Sequence, residues 1–123
     1  MNLDKAINVH SQWKYRLLRF LEANGEPLDA DTIVLDDQCE LGKWIHGAGT
    51  EFADQGDFQL LRDQHARFHR AAATLVAVAN RGNRAKARQM LEAEYAEASR
   101  AVVLAIARLK RLQGVGSVEA PQA

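Results

Sequence analysis

The chain has 123 residues and a mass of 13.7 kDa, enough for one domain with a real core and too little for two. Apolar residues make up 47% and charged residues 26%, and Lys plus Arg (16) equals Asp plus Glu (16). That balance excludes a collagen-like chain, a disulfide scaffold, a disordered protein and a strongly cationic nucleic-acid binder.

In chain order, residues 3–24 read as an amphipathic helix. Leu3, Ala6, Ile7, Trp13, Leu17, Leu18, Phe20 and Leu21 fall within an arc of about 160° at helical spacing, with Asp4, Lys5, Asn8 and Arg19 opposite. Asn24-Gly25 and then Pro27 supply the stop. Residues 25–57 break any long period: Pro27, the acidic residues Asp29, Asp31, Asp36 and Asp37, and Gly42, Gly47, Gly49 and Gly56 predict a loop. A short helix is expected near 38–46, with one further turn near 50–54. A second long helix is expected over 58–80, with Phe58, Leu61, Phe68, Ala72, Leu75, Val76 and Ala79 on one arc, closed by Arg81-Gly82-Asn83. A third is expected over 84–112, carrying Ala87, Met90, Leu91, Tyr95, Ala98, Val102, Ala105, Leu109 and Leu112. The link between these last two is so short that they must form an antiparallel hairpin. Residues 114–123, rich in Gly, Ser and Ala, read as a frayed tail outside a domain of residues 1–113. The expected class is all-α: an antiparallel four-helix-type bundle of three long helices, with the short-helix segment filling the fourth side.

Charge divides the chain. Residues 1–60 hold 5 basic and 11 acidic side chains, and residues 61–123 hold the reverse. Two faces of opposite sign that attract each other within one fold are expected, the alternative being a basic surface that meets an acidic partner or a membrane. Nucleic acid is not an expected partner, and no apolar run of about 18 residues is present to enter a membrane. The single cysteine cannot pair within the chain, and Met1-Asn2-Leu3-Asp4-Lys5 does not resemble a secretory leader, so a cytoplasmic location is expected.

The chemistry lies in the histidines. His10 sits at the centre of the first apolar arc, and His65 and His69, spaced i and i+4, sit inside the arc of the 58–80 helix. Two readings stand. Each imidazole is a core residue with its own hydrogen-bond partner, or the three converge on a metal. Convergence strains the first reading, because each neutral ring needs a partner and protonated rings repel. Cys39 is a small buried hydrophobe on the first reading and a thiolate ligand on the second, and one sulfur with three imidazole nitrogens favours zinc over calcium or magnesium.

The motifs His10-Ser11-Gln12-Trp13, Cys39-x-Leu41-Gly42-x-Trp44 and His65-x-x-x-His69, separated by 25 and 20 residues, resemble those of the bacterial chemoreceptor zinc-binding (CZB) domain family over residues 5–112. The resemblance implies a helical bundle, often a homodimer, with zinc held by His10, Cys39, His65 and His69. It also implies a cytoplasmic regulatory role attached to chemoreceptors or diguanylate cyclases, in chemotaxis or cyclic-di-GMP control. Zinc itself, or oxidants such as hypochlorous acid acting on the zinc-bound cysteine, are the implied signals. The chain carries neither a methyl-accepting coiled coil nor a cyclase domain, so it acts on a partner or is a fragment.

Outside the ligand set, His46 reads as a surface residue or a buttress to the site, and Glu94 as either a carboxylate orienting a ligand histidine or a solvated edge residue. Trp13 and Trp44 are expected to keep the site dry. Leu104, Val103 and Val9 fall off their arcs, a minor addition to the case for a dimer. No enzyme is expected: four protein ligands close a tetrahedral zinc and leave no place for a water. A zinc hydrolase would need a base such as the glutamate of HExxH, whereas the chain reads His65-Ala66-Arg67-Phe68-His69. A di-iron bundle would need inward Glu–His pairs that are missing from the sequence. A purely structural zinc that serves a dimerisation module is the remaining alternative.

Overall fold

The computed structural model describes residues 1–22 and 25–112. The expected tail at 114–123 and the stop at Asn24 lie outside the described residues. The described chain is all-α: α1 (Leu3–Leu21), α2 (Ala30–Ile33), α3 (Glu40–His46), a 3₁₀ turn (Ala48–Phe52), α4 (Gly56–Asn80), α5 (Arg84–Glu92) and α6 (Glu94–Leu112). α6 packs on both α4 and α1, α5 on α4, α6 and α1, and α2 on α4.

Local chemistry sets the ends of these elements. Asn2 caps α1 by accepting from the Lys5 N–H at 2.9 Å. Gly82, at φ 100°, closes α4: its N–H donates to the Ala79 carbonyl and that of Asn83 to Val78. This pair of bonds is the Schellman arrangement, and a glycine takes the left-handed position without a Cβ clash. Asn83 then caps α5 through Lys86 N–H. The buried faces match the expected arcs: Leu17, Leu61, Leu75, Val76, Val102 and Leu109 are fully enclosed, and Ile106, outside the expected arc, is enclosed with them. Burying each such side chain contributes about 1.5–3 kcal/mol, so the long helices carry most of the fold.

Three features depart from the expectations. α1 ends at Leu21, where the Glu22 N–H turns back to the Arg19 carbonyl and Arg84 donates to the carbonyls of Leu21 and Glu22. The expected 84–112 helix is broken at Ala93 (φ −116°, ψ −97°), although no glycine or proline stands there. Both halves keep one apolar face in register with the core, burying Leu91 on one side of the break and Tyr95 on the other, so the periodicity passes through it. Thirdly, residues expected to be loop form α2. Asp29 caps it by accepting from Asp31 N–H and Thr32 Oγ1, and Ile33 is buried on α4.

The opposite charges of the two halves do meet. Lys110 pairs with Asp4, and Arg108 with Asp57. These are exposed pairs worth at most about 1 kcal/mol each.

Gly42 stands at a close approach of two backbone segments. A Cβ there would overlap the main-chain carbonyl of Asp36, because the 36–37 backbone folds directly over the first turn of α3. Gly42→Ala should therefore cost about 1–3 kcal/mol or more in denaturant unfolding. Gly56→Ala, with nothing within 4 Å of its Cβ position, should be neutral or stabilising by up to about 1 kcal/mol.

Candidate metal centre

Four side chains from three elements converge: His10 from α1, Cys39 from the N-cap of α3, and His65 and His69 from α4. One donor atom from each lies within 4.8 Å of the other three. The histidines are among the best-buried residues of the chain, at 1%, 0% and 5% exposure, and Cys39 is half-buried. Phe68 walls the pocket, its ring 5.2 Å from His10 and 5.5 Å from His69 and edge-on to both. Trp44 instead packs edge-on against Phe58 at 5.8 Å, and Trp13 is half-buried beneath the Arg16 guanidinium. The aromatic wall is thus Phe68, whose place in the apolar arc disguised it as ordinary core.

Hydrogen bonds orient two of the rings. His10 Nδ1–H donates to the Ala6 carbonyl at 2.8 Å, one turn back on its own helix. His69 Nδ1–H donates to the Ile33 carbonyl at 2.8 Å. A carbonyl only accepts, so in both rings Nδ1 carries the proton and Nε2 presents a lone pair to the pocket. The Ile33 carbonyl is the contribution that sequence reasoning missed. It is a backbone atom without a side-chain signature, delivered by α2. The Nε2 of His10 is fully buried with no hydrogen-bond partner among the described residues.

The separations test whether these donors suit a metal. In tetrahedral zinc with Zn–N of about 2.0–2.1 Å and Zn–S of about 2.3 Å, nitrogens sit about 3.3 Å apart, and nitrogen and sulfur about 3.6 Å. His65 Nε2 lies 3.2 Å from His69 Nε2 and 3.3 Å from Cys39 Sγ, and His69 Nε2 lies 3.8 Å from the same sulfur. Three edges of the tetrahedron are already close to size, and the orphaned His10 Nε2 is placed for the fourth corner. The residues present fit the ion.

The electrostatics agree. Burial lowers all three imidazoles below their ordinary range, His65 to about 2, with its two neighbouring histidines adding to the effect. Burial raises the Cys39 thiol, and the Asp36 carboxylate adds to this against the opposing N–H groups of Gly42 and Leu41. Without a cation the pocket therefore holds three neutral imidazoles and a protonated thiol, with His65 Nδ1 buried and unpartnered among the described residues.

The other candidates fall away from the pocket. His46 is exposed and pairs with Asp36 at 3.4 Å. Glu94 is exposed at the start of α6, beside Arg67, Arg70 and Thr74, so it is a solvated residue and orients no ligand histidine.

A pH dependence follows for the metal-free chain. The histidines have a folded pKa below the unfolded value of 6.5, so the unfolded state binds more protons below that pH. Their stability contribution is complete above 6.5 and is lost as pH falls toward the folded values. The raised Cys39 acts oppositely, its contribution fading above its unfolded value of 9.0. The unfolding free energy of metal-free protein, measured by denaturant titration, should thus be highest between about pH 6.5 and 9 and fall on the acid side by up to about 4 kcal/mol per pH unit when three protons are taken up together. A flat profile between pH 7 and 5 would show that the histidines are not buried as neutral rings.

No helix among the described residues is long and apolar enough to cross a membrane. Neither a curated protein nor a solved structure matches the chain. The family model of the chemoreceptor zinc-binding domain, CZB, matches residues 10–76, more than half of the 123 residues, and its span takes in all four converging side chains. The chain therefore belongs to the chemoreceptor zinc-binding domain family, whose members are zinc-binding signalling domains.

Proposed function

We propose that the protein is a cytoplasmic zinc-responsive regulatory domain, with His10, Cys39, His65 and His69 as its four ligands and no catalytic activity of its own. The observation that carries this reading is the set of desolvated donors, an orphaned Nε2 among them, gathered within 4.8 Å at near-tetrahedral spacing. Bound there, zinc would stabilise the Cys39 thiolate over the thiol and tie the segment around α3 to α1 and α4. Four protein ligands would complete the shell, which is why the reading excludes a hydrolase. The finer fold assignment, an antiparallel four-helix-type bundle, rests on the three-residue link Arg81–Asn83 between α4 and α5. A homodimer is part of the same reading, supported by Leu104 at 68% exposure beside a groove that includes Leu91 and Val103. The output would pass through that second copy, or to a chemoreceptor or diguanylate cyclase.

Cys39 is the element that changes state. It is the most exposed of the four ligands, and it caps a seven-residue helix while the histidines belong to helices of 19 and 25 residues. An oxidant such as hypochlorous acid would convert the thiolate to sulfenic acid, the sulfur gaining the oxygen and proton as chloride leaves. A sulfenic acid binds zinc poorly, so the α3 segment would detach from a comparatively fixed helical frame.

Zinc should bind one per chain. Alanine at His10, Cys39, His65 or His69 should each weaken binding by more than about 100-fold, beyond the range typical of groups that only orient a ligand. His46→Ala should leave equilibrium affinity unchanged. Competition titration against a chromophoric chelator measures this, and loss of binding in the His46 variant with retention in the His10 variant would overturn the ligand set.

Hydrogen exchange distinguishes a regulatory from a purely structural zinc. Residues 36–50 should gain protection on adding zinc and lose it after mild oxidation, while α4 and α6 stay protected throughout. Equal protection in all three states would leave the structural zinc as the better reading.

A further inference from the structure

The four-residue pocket has one open side. Its three histidines are almost fully enclosed, and only Cys39 retains exposure. A cation must therefore arrive past the segment that carries Cys39, and on that segment stand two further metal-ligating side chains that the site does not use. Asp36 lies three residues before Cys39, and His46 closes α3. His46 Nε2 and Asp36 Oδ1 are 3.4 Å apart, close to the separation of two donors that share one ion, at side-chain exposures of 46% and 25%. Both groups act on the pocket: the Asp36 carboxylate on Cys39 and His69, and the His46 ring on His65. The close approach of Gly42 to the Asp36 main chain folds residue 36 back over α3 and brings the pair together.

We propose that Asp36 and His46 form a loading station, a transient two-donor site through which a hydrated divalent cation passes into and out of the buried pocket. This role rests on the zinc reading above. Its physical basis is desolvation. A divalent ion surrenders its water shell at heavy cost if it must do so in one step, and a half-exposed carboxylate and imidazole can replace waters one at a time before the buried lone pairs take over. Exposed Asp31 and Asp37 on the same segment raise the local cation concentration, and the pair captures what they attract.

A station on the path has a kinetic signature that neither a ligand nor a general field shares. It lowers the barrier between free and bound ion without changing either end state, so its removal must slow binding and release by the same factor. The test uses the full chain, zinc ion and stopped-flow mixing, with association followed against a chromophoric chelator and dissociation into excess chelator. His46→Gln, Asp36→Asn and the double variant should each slow both rates by about tenfold, a size within the range of electrostatic steering effects. The double variant should be no slower than either single one, and in His46→Gln, which removes no fixed charge, equilibrium affinity should hold. Unchanged rates would overturn the loading role. In His46→Gln, so would faster release at unchanged association, which marks a prop to the bound state, or slower association with weakened affinity, which marks a general field. Equal equilibrium affinity in Cys39→Ala and the parent chain would instead overturn the four-residue site itself, an outcome read from the titration alone.

Discussion

Three imidazoles share one dry pocket, and much of the fold is arranged around the consequences. Charging any of them is opposed by burial, and each ring has two nitrogens that require partners. The chain supplies main-chain carbonyls to the Nδ1 atoms of His10 and His69, from one turn back on α1 and from the short α2. That arrangement turns their remaining lone pairs inward. A pocket of converging lone pairs is a poor way to build a core and a good way to hold a soft cation. The cost of burying these rings and their suitability for a metal ion have the same physical cause.

The division of labour among elements follows from this. The long helices bury enough apolar surface to stand without the metal, as Leu17, Leu61, Leu75, Val102 and Ile106 show. The segment between α1 and α4 adds Leu28, Ile33, Leu41 and Ile45 to the same core and is further held by particular contacts: the Gly42 close approach to Asp36, and Trp44 against Phe58. The single thiol thus stands at the N-cap of a seven-residue helix, and the imidazoles on helices of 19 and 25 residues.

The geometry of the centre also bears on a competition that the residue types leave open. An HxxxH pair on an amphipathic helix is compatible with two separately satisfied core histidines. The distances of 3.2 Å between the two Nε2 atoms and 3.3 Å to Cys39 Sγ are those of atoms facing a common point. His46, a fourth imidazole on the same segment as the thiol, is excluded by its exposure and by its pairing with Asp36. The span of the family match, residues 10–76, contains the same four side chains.

The sequence by itself determined the all-α class, the three long amphipathic stretches, and the four residues that meet at the centre. Each is written in residue type and spacing: apolar residues at helical period, His65 and His69 one turn apart, and a lone cysteine beside Gly42. It did not contain the break at Ala93, because a break that keeps both apolar faces on the same core leaves the period intact and requires no glycine or proline. It did not reveal α2, whose four residues are too few to show a period and whose Asp29 cap resembles any acidic loop residue. Nor did it show the Ile33 carbonyl on His69, or that Phe68 walls the site while Trp13 stays half-buried under Arg16. A backbone oxygen has the same chemistry at every position, and an aromatic ring on an apolar arc buries the same surface whether its neighbour is a leucine or a ligand. Which carbonyl and which ring stand against the imidazoles was decided only when the helices packed.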